Sequence, residues 1–232
     1  RGFATSAFTI YDLHTVWTGK LENIGLETAG SATIKCSDEY GSDQAGIERQ
    51  IPRAVSSGNN VTADAGRAAT SVSVQDATVL ADPSVVDYRV YARKREGLGE
   101  IFEITARASS TSWTIARQKF GTLAEPLHKG DVIEEVVPYM ADDGQGGWHP
   151  VDVIADLLLR GGVAADDIDT AQMARGGAFV NGLRLRRLLV EPKSVRSLVG
   201  EVCELIGASV HMDTSLRFRL SMMRPQFPGE VS

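Results

Sequence analysis

Two hydrophobic periods run through this chain, and the change from one to the other falls at a single place. Up to the polar turn Asp142-Asp143-Gly144-Gln145-Gly146-Gly147, short β-branched and aromatic runs alternate with turn residues. Beyond it, apolar residues recur at helical spacing. A chain that reads strands first and helices later folds as α+β rather than as a wound parallel sheet. The expected fold is therefore β-rich α+β: an antiparallel meander and a small β-barrel or sandwich, followed by a C-terminal unit of helices on a sheet. The expected divisions are an N-terminal meander over 1–56, an inserted barrel or sandwich over 57–137, and an α+β unit over 138–232.

The meander is read from Phe8 to Tyr11, Thr15 to Trp17, Leu21 to Leu26 and Ala32 to Cys36, punctuated by Gly19, Gly25 and Gly30. Residues 41–60, rich in Gly, Ser, Asp and Asn and holding Pro52, read as a connection between bodies. Five strands follow at 71–74, 86–92, 100–106, 112–116 and 131–137, with Trp113, Ile115, Ile101 and Phe102 in their core. Alternation turns Phe102, Ile104 and Ala106 inward and Glu103 and Thr105 outward.

In the C-terminal unit, Pro150 and Asp152 open a helix carrying Val151, Ile154, Leu157 and Leu158, which ends at Gly161-Gly162. A shorter helix is expected from Ile168 to Ala174, with Asp167 as cap and Gly176-Gly177 as stop. Arg184 and Arg186 alternate with Leu183 and Leu185, as on a strand with one solvated face. Ser194 caps a third helix whose stripe is Val195, Leu198, Val199, Val202, Leu205 and Ile206, and Gly207 stops it. A hairpin then pairs Ala208–Met212 with a strand that sets Leu216, Phe218, Leu220 and Met222 on one face, over that stripe.

Composition narrows the function. A formal charge of -6 and a pI of about 5.3 leave no net positive field for nucleic-acid backbones. No apolar run reaches the roughly 20 residues of a membrane-spanning helix. Cys36 and Cys203, far apart in apolar contexts, read as free thiols of a chain folded in a reducing cytosol. The opening at Arg1 and the end at Ser232 read as cuts from a longer chain.

Sites of chemistry are sparse. His14, His128, His149 and His211 stand at no metal spacing, and neither cysteine lies in a CxxC. No nucleophile elbow, P-loop, HExxH or dinucleotide fingerprint occurs. The acids at 142–143 and 166–169 fit no EF-hand and read as a solvated linker and a helix cap. The expectation is no enzyme, no cofactor and no metal.

Two segments carry a resemblance. Within Trp113 to Asp131, the residues Arg117, Gly121, Thr122, Ala124, His128, Gly130 and Asp131 resemble a turn module that recurs in phage tail and baseplate proteins. Its glycines permit tight turns, Thr122 and Asp131 can bond nearby backbone, and His128 can fasten the loop. The region from Pro150 to Pro225 is similar to hub domains of tail-tip proteins, through Ser194, Leu198, Glu201, Val202 and Cys203. The resemblance implies a virion protein made in the host cytoplasm, a homotrimer around the tail axis that meets the tail tube on one side and a spike or fibre on the other. The competing reading is a carbohydrate- or receptor-binding module that presents Trp113, Tyr88 or Tyr91. A tail-associated cell-wall hydrolase is a third reading, with no residue set beyond generic acids.

Overall fold

The computed structural model describes residues 19–26, 32–38, 49–97, 99–213, 215 and 217–222. The expected strands at 8–11 and 15–17 and the position of Leu216 lie outside them. The fold is mixed α+β and sheet-rich, with an antiparallel sheet curled into a half-barrel and helices toward the C-terminus. Strands β1 (Gly19–Leu26) and β2 (Ala32–Asp38) form a separate antiparallel two-stranded sheet, with a register shift between Leu21 and Asn23. The expected connection over 41–60 contains a short strand, β3 (Gln50–Ile51), whose Ile51 is buried.

The half-barrel is built from β4 (Ser71–Ser73), β5 (Val90–Lys94), β6 (Ile101–Ser109), β7 (Ser112–Lys119) and β8 (Ile133–Tyr139). A further strand, β9 (Arg187–Leu189), completes the spatial order β4-β7-β6-β5-β8-β9, every neighbouring pair antiparallel. One face is packed with Val72, Val90, Phe102, Ile104, Trp113, Ile115 and Ile133, and the Trp113 indole N–H donates to the Ala77 carbonyl at 3.0 Å. All four residues expected in the core of these strands are buried, three on this face and Ile101 on the other.

Two expectations fail here. Ala106 is exposed, because β6 shifts register against β7 between Ile104 and Ala106 and alternation lapses there. The strand expected over 86–92 begins only at Val90. Asp82 holds the preceding residues in a turn, its carbonyl accepting from the N–H groups of Val85 and Val86 and its carboxylate from Ser84. Ile101 is buried on the face opposite Phe102, with Tyr91 and Val136, so both faces of the sheet are covered at this point.

Strand β8 joins the two halves. All seven of its residues are buried. Along one face, Ile133 belongs to the half-barrel core while Val137 and Tyr139 belong to the helical core. Its buried carboxylates are partnered: Glu134 by Arg93 at 2.6 Å, and Glu135 by the Arg53 N–H at 2.7 Å.

The helical core holds α1 (Pro150–Gly161), α2 (Thr170–Gly177) and α3 (Val195–Ile206), with β10 (Lys193–Ser194) paired to β3 and the hairpin of β11 (Ala208–Met212) and β12 (Phe218–Met222). Helix α1 ends at Gly162, left-handed at φ 95°. Its cap is His149, whose Nδ1 accepts from the Val151 N–H at 3.3 Å, while Pro150 occupies the first turn.

Helix α2 starts later than expected. Asp169, not Asp167, caps it through the Gln172 N–H at 3.0 Å, because residues Ala165–Asp167 are used in a separate 3-10 turn. The α-helix ends at Gly177, as expected, but not through a left-handed turn. The chain continues right-handed through Ala178 into another 3-10 turn, and a Cβ on Gly177 would stand 2.5 Å from Val151. Gly177 thus permits close approach of α2 to α1, while a Cβ on Gly176 would stand 3.4 Å from Leu220 of β12.

Helix α3 has the expected Ser194 cap and Gly207 stop, the latter at φ 63°. Val195, Leu198, Val199, Val202 and Ile206 are buried, with Cys203 beside them. Leu205 departs from the expected stripe and is 59% exposed. It falls about 80° from Val195 around the helix, at the stripe's margin. Phe218 and Leu220 of β12 join the same core, each such side chain contributing about 1.5–3 kcal/mol. Leu183 and Leu185 are half-buried, with Arg184 and Arg186 exposed between them.

Candidate functional site

The turn module forms a brace around a buried ion pair. Arg117, at the end of β7, reaches Glu100 with Nε to Oε1 at 3.0 Å and a second contact from Nη2 to Oε2. The same guanidinium donates to the Gly66 carbonyl at 2.8 Å and to the Glu125 carbonyl. Glu100 also accepts from the N–H groups of Gln118 at 3.2 Å and Glu125 at 2.8 Å. One carboxylate and one guanidinium thus hold three stretches of chain, and their side chains are 2% and 8% exposed.

The other matched residues tighten the loop. Thr122 donates its hydroxyl to the Lys119 carbonyl at 2.7 Å and accepts from the Ile101 N–H at 3.0 Å. Gly121 and Gly130 take φ of 74° and 95°. Asp131 accepts from the His128 N–H at 2.7 Å and pairs with Lys94 at 2.9 Å. Against its desolvation, these contacts keep the Asp131 carboxyl below the usual range. Ala124 is half-buried. His128 fastens the loop through its backbone rather than its ring, which is 61% exposed and 3.9 Å from Asp64. Gln118 and Phe120 also lie at positive φ, 58° and 55°.

This strained turn sets Phe120 at the wall of a cleft of about 720 Å³. Phe120 meets Tyr91 of β5 edge-on, ring centroids 5.0 Å apart. The turn over 141–147 backs onto the module through its own glycine: a Cβ on Gly144 would stand 2.4 Å from the Phe120 carbonyl oxygen. That second turn supplies Met140, Asp142 and Trp148 to the cleft. Trp148 is 36% exposed, donates to the Met140 carbonyl at 3.1 Å and packs edge-on against Tyr139 at 5.5 Å. The irregular segment before β5 contributes Val86, Asp87, Tyr88 and Arg89, and β6 contributes Glu103.

The floor comes from α1. Asp156 accepts from the Tyr139 hydroxyl at 3.0 Å and from Arg160 Nε at 2.7 Å, one turn further along the helix. Arg160 Nη2 donates to the Arg89 carbonyl at 3.0 Å, and its guanidinium lies 4.4 Å from the centroid of the Tyr88 ring. Burial, with Asp156 alongside, raises the Tyr139 phenol well above the usual tyrosine range. Burial pushes the Tyr91 phenol up as well, opposed by a hydrogen bond with Arg89. Arg160 Nη1 is buried and has no hydrogen-bond partner among the described residues.

The sequence expectations meet this cleft only in part. Trp113 is buried in the half-barrel core and presents nothing to a glycan, and Tyr91 is 6% exposed. Tyr88 and Tyr91 both line the cleft, Tyr88 the more exposed of the two. Nothing local in the sequence marks Trp148, Phe120, Arg160 or Asp156. They come from separate segments, and the paired glycines Gly121 and Gly144 were the one local signal that two turns meet.

Among the described residues, no group of three or more His, Cys, Asp or Glu side chains is placed to hold a metal ion. No helix among them is long and apolar enough to cross a membrane. Cys203 is a free buried thiol whose pKa is raised by burial. No family model and no curated protein matches the chain.

Proposed function

We propose that this chain is a non-catalytic structural component of a phage-type tail tip or baseplate hub, assembling around the tail axis and linking the tail tube to a distal spike or fibres. The observation that carries the reading is the role of the tail-like turn residues. Arg117, Thr122, Gly121, Gly130 and Asp131 serve a brace, and the charge of Arg117 is consumed by Glu100 and two carbonyls. A further feature suits assembly. The β4 edge of the curled sheet is covered by residues 60–62, through the Thr62 N–H to the Ser73 carbonyl at 2.9 Å and a bridge between Val61 and Val74, while β9 ends the sheet on its other edge. An edge strand of this kind is completed by a neighbour in a closed ring, and the expected ring is a homotrimer. A reconstruction of the intact particle tests this: the chain should encircle the tail axis near its distal end. A single peripheral copy, or its absence from the particle, rejects the reading.

A second reading, a carbohydrate- or receptor-binding module, is favoured by the cleft between the half-barrel and α1. Its rim carries Trp148 and Tyr88, and its volume falls in the range of small-molecule sites. A host-surface ligand whose binding survives Trp148→Ala unchanged rejects that assignment of the site.

A further inference from the structure

We propose that the cleft between β5, β6 and α1 binds an uncharged saccharide, an inference that deepens the binding-module reading and is independent of any place in a particle. Three features select this chemistry. The cleft is lined by four carboxylates, Asp87, Glu103, Asp142 and Asp156, against two guanidinium groups, Arg89 and Arg160. An organic anion would therefore enter an opposing field. An organic cation would be drawn by the same field but would leave the buried Arg160 donor without an acceptor.

That donor is the second feature. The Arg160 side chain is 4% exposed and lines the cleft, and its Nη1 has no partner among the described residues although Nε and Nη2 are both engaged. A buried donor without an acceptor is costly, and a ligand oxygen completes it. Hydroxyl groups do both tasks, accepting at Arg160 and donating to Glu103 and Asp142.

The third feature is the aromatic wall. Tyr88 and Phe120 are half-buried, and Trp148 is 36% exposed. Such surfaces suit the C–H face of a pyranose, which is apolar while its rim is polar. Both Phe120 and Trp148 are fixed by edge-on contacts and backbone turns, so the wall exists before a ligand arrives. Together these features describe a neutral polyol with an apolar face.

The test is isothermal titration of the whole chain with maltotriose, cellotriose and N,N′,N″-triacetylchitotriose, with trilysine as the cationic comparison. At least one saccharide is expected to bind with a Kd of about 1 mM or tighter. Trp148→Ala and, for a change that preserves shape, Glu103→Gln should each weaken it about tenfold. Leu123→Ser, at a site 79% exposed on the turn module and outside the cleft lining, should leave it unchanged. Absence of binding by all three saccharides overturns the proposal, as does affinity unaltered in both cleft variants. Binding of trilysine alone also overturns it while leaving a receptor-binding role standing.

Discussion

Arg117 and Glu100 form a two-pronged buried pair, Nε to Oε1 at 3.0 Å and Nη2 to Oε2, with Glu100 2% and Arg117 8% exposed at the side chain. Removing one member strands the other away from water. Arg117→Ala is expected to cost about 3–5 kcal/mol, the range for breaking a buried pair. Arg187→Ala, which breaks a pair with Glu201 whose arginine is 45% exposed, should cost no more than about 1 kcal/mol. Urea unfolding of both variants checks this, and equal losses would show that the brace is not a structural centre.

The contact between the two turns predicts a sharp difference between glycines. Gly144 sits at φ 73°, and a Cβ there would stand 2.4 Å from the Phe120 carbonyl oxygen. Gly99 has φ 91° with nothing near its Cβ position. Gly99→Ala therefore meets only the left-handed backbone penalty of about 1–2 kcal/mol. Gly144→Ala should exceed it, since Phe120 and the cleft wall must shift. Thermal melts compare the two, and equal melting temperatures would count against the close contact.

The acid limb of stability should report Asp169. The Gln172 N–H first, then the charges of Arg217 and Arg219, hold its carboxyl below the usual 3.8, against a desolvation penalty. With the folded pKa depressed, the unfolded chain binds more protons in the window between the two values. The contribution is therefore present above pH 3.8 and is lost as pH falls through the lower folded value. Asp169→Asn keeps an acceptor for the cap but cannot titrate. Urea midpoints measured from pH 5 downward should fall less steeply in the variant; an unchanged slope would remove Asp169 from the acid response.

Helix α3 offers a paired test on one stripe. Leu198 is 2% exposed, so Leu198→Asp buries an unpaired charge and should cost several kcal/mol, about 3 or more. Leu205 is 59% exposed, and Leu205→Asp should change stability by about 0.5 kcal/mol or less in the isolated chain. Chemical unfolding distinguishes them. A large loss at Leu205 would show a hidden cover over the end of the helix.

What the sequence made legible follows the range of the forces involved. The ends of α3 were readable because Ser194 and Gly207 act within one turn. The Asp169 cap is not legible because three nearby aspartates compete for that role and only the 3-10 turn decides among them. The alternation in β6 located Phe102 and Ile104 but not the register shift that exposes Ala106, since a bulge depends on the partner strand. The turn module was visible as a motif, yet its acid, Glu100, lies 17 residues before Arg117 and carries no local mark. The cleft is less legible still. Tyr88, Phe120, Trp148 and Arg160 become neighbours only after the half-barrel and α1 have packed.

The last prediction concerns the division expected at residue 137, which falls inside β8. The sequence reads 57–137 as an insertion that a short linker could replace, because turn-rich stretches flank it. In the structure, Val137 and Tyr139 are 0% and 2% exposed in the helical core, and Val137, Pro138 and Tyr139 pair with Leu189, Leu188 and Arg187 of β9. Arg160 further ties α1 to the Arg89 carbonyl at 3.0 Å. A deletion ending at 137 removes one buried valine of the helical core, part of the β8–β9 ladder and that carbonyl, and it exposes the face on which Tyr139 and Asp156 meet. Loop closure adds little to this, since its cost grows only slowly with length. The expected result is loss of cooperative unfolding in the 57–137 deletion, monitored by circular dichroism during a thermal melt. A deletion of 57–131, which retains the whole of β8, still removes the β5 partner and should also melt with reduced cooperativity, though above the longer deletion. A cooperative transition at the parent temperature in either variant would show that the half-barrel is a separable insertion after all.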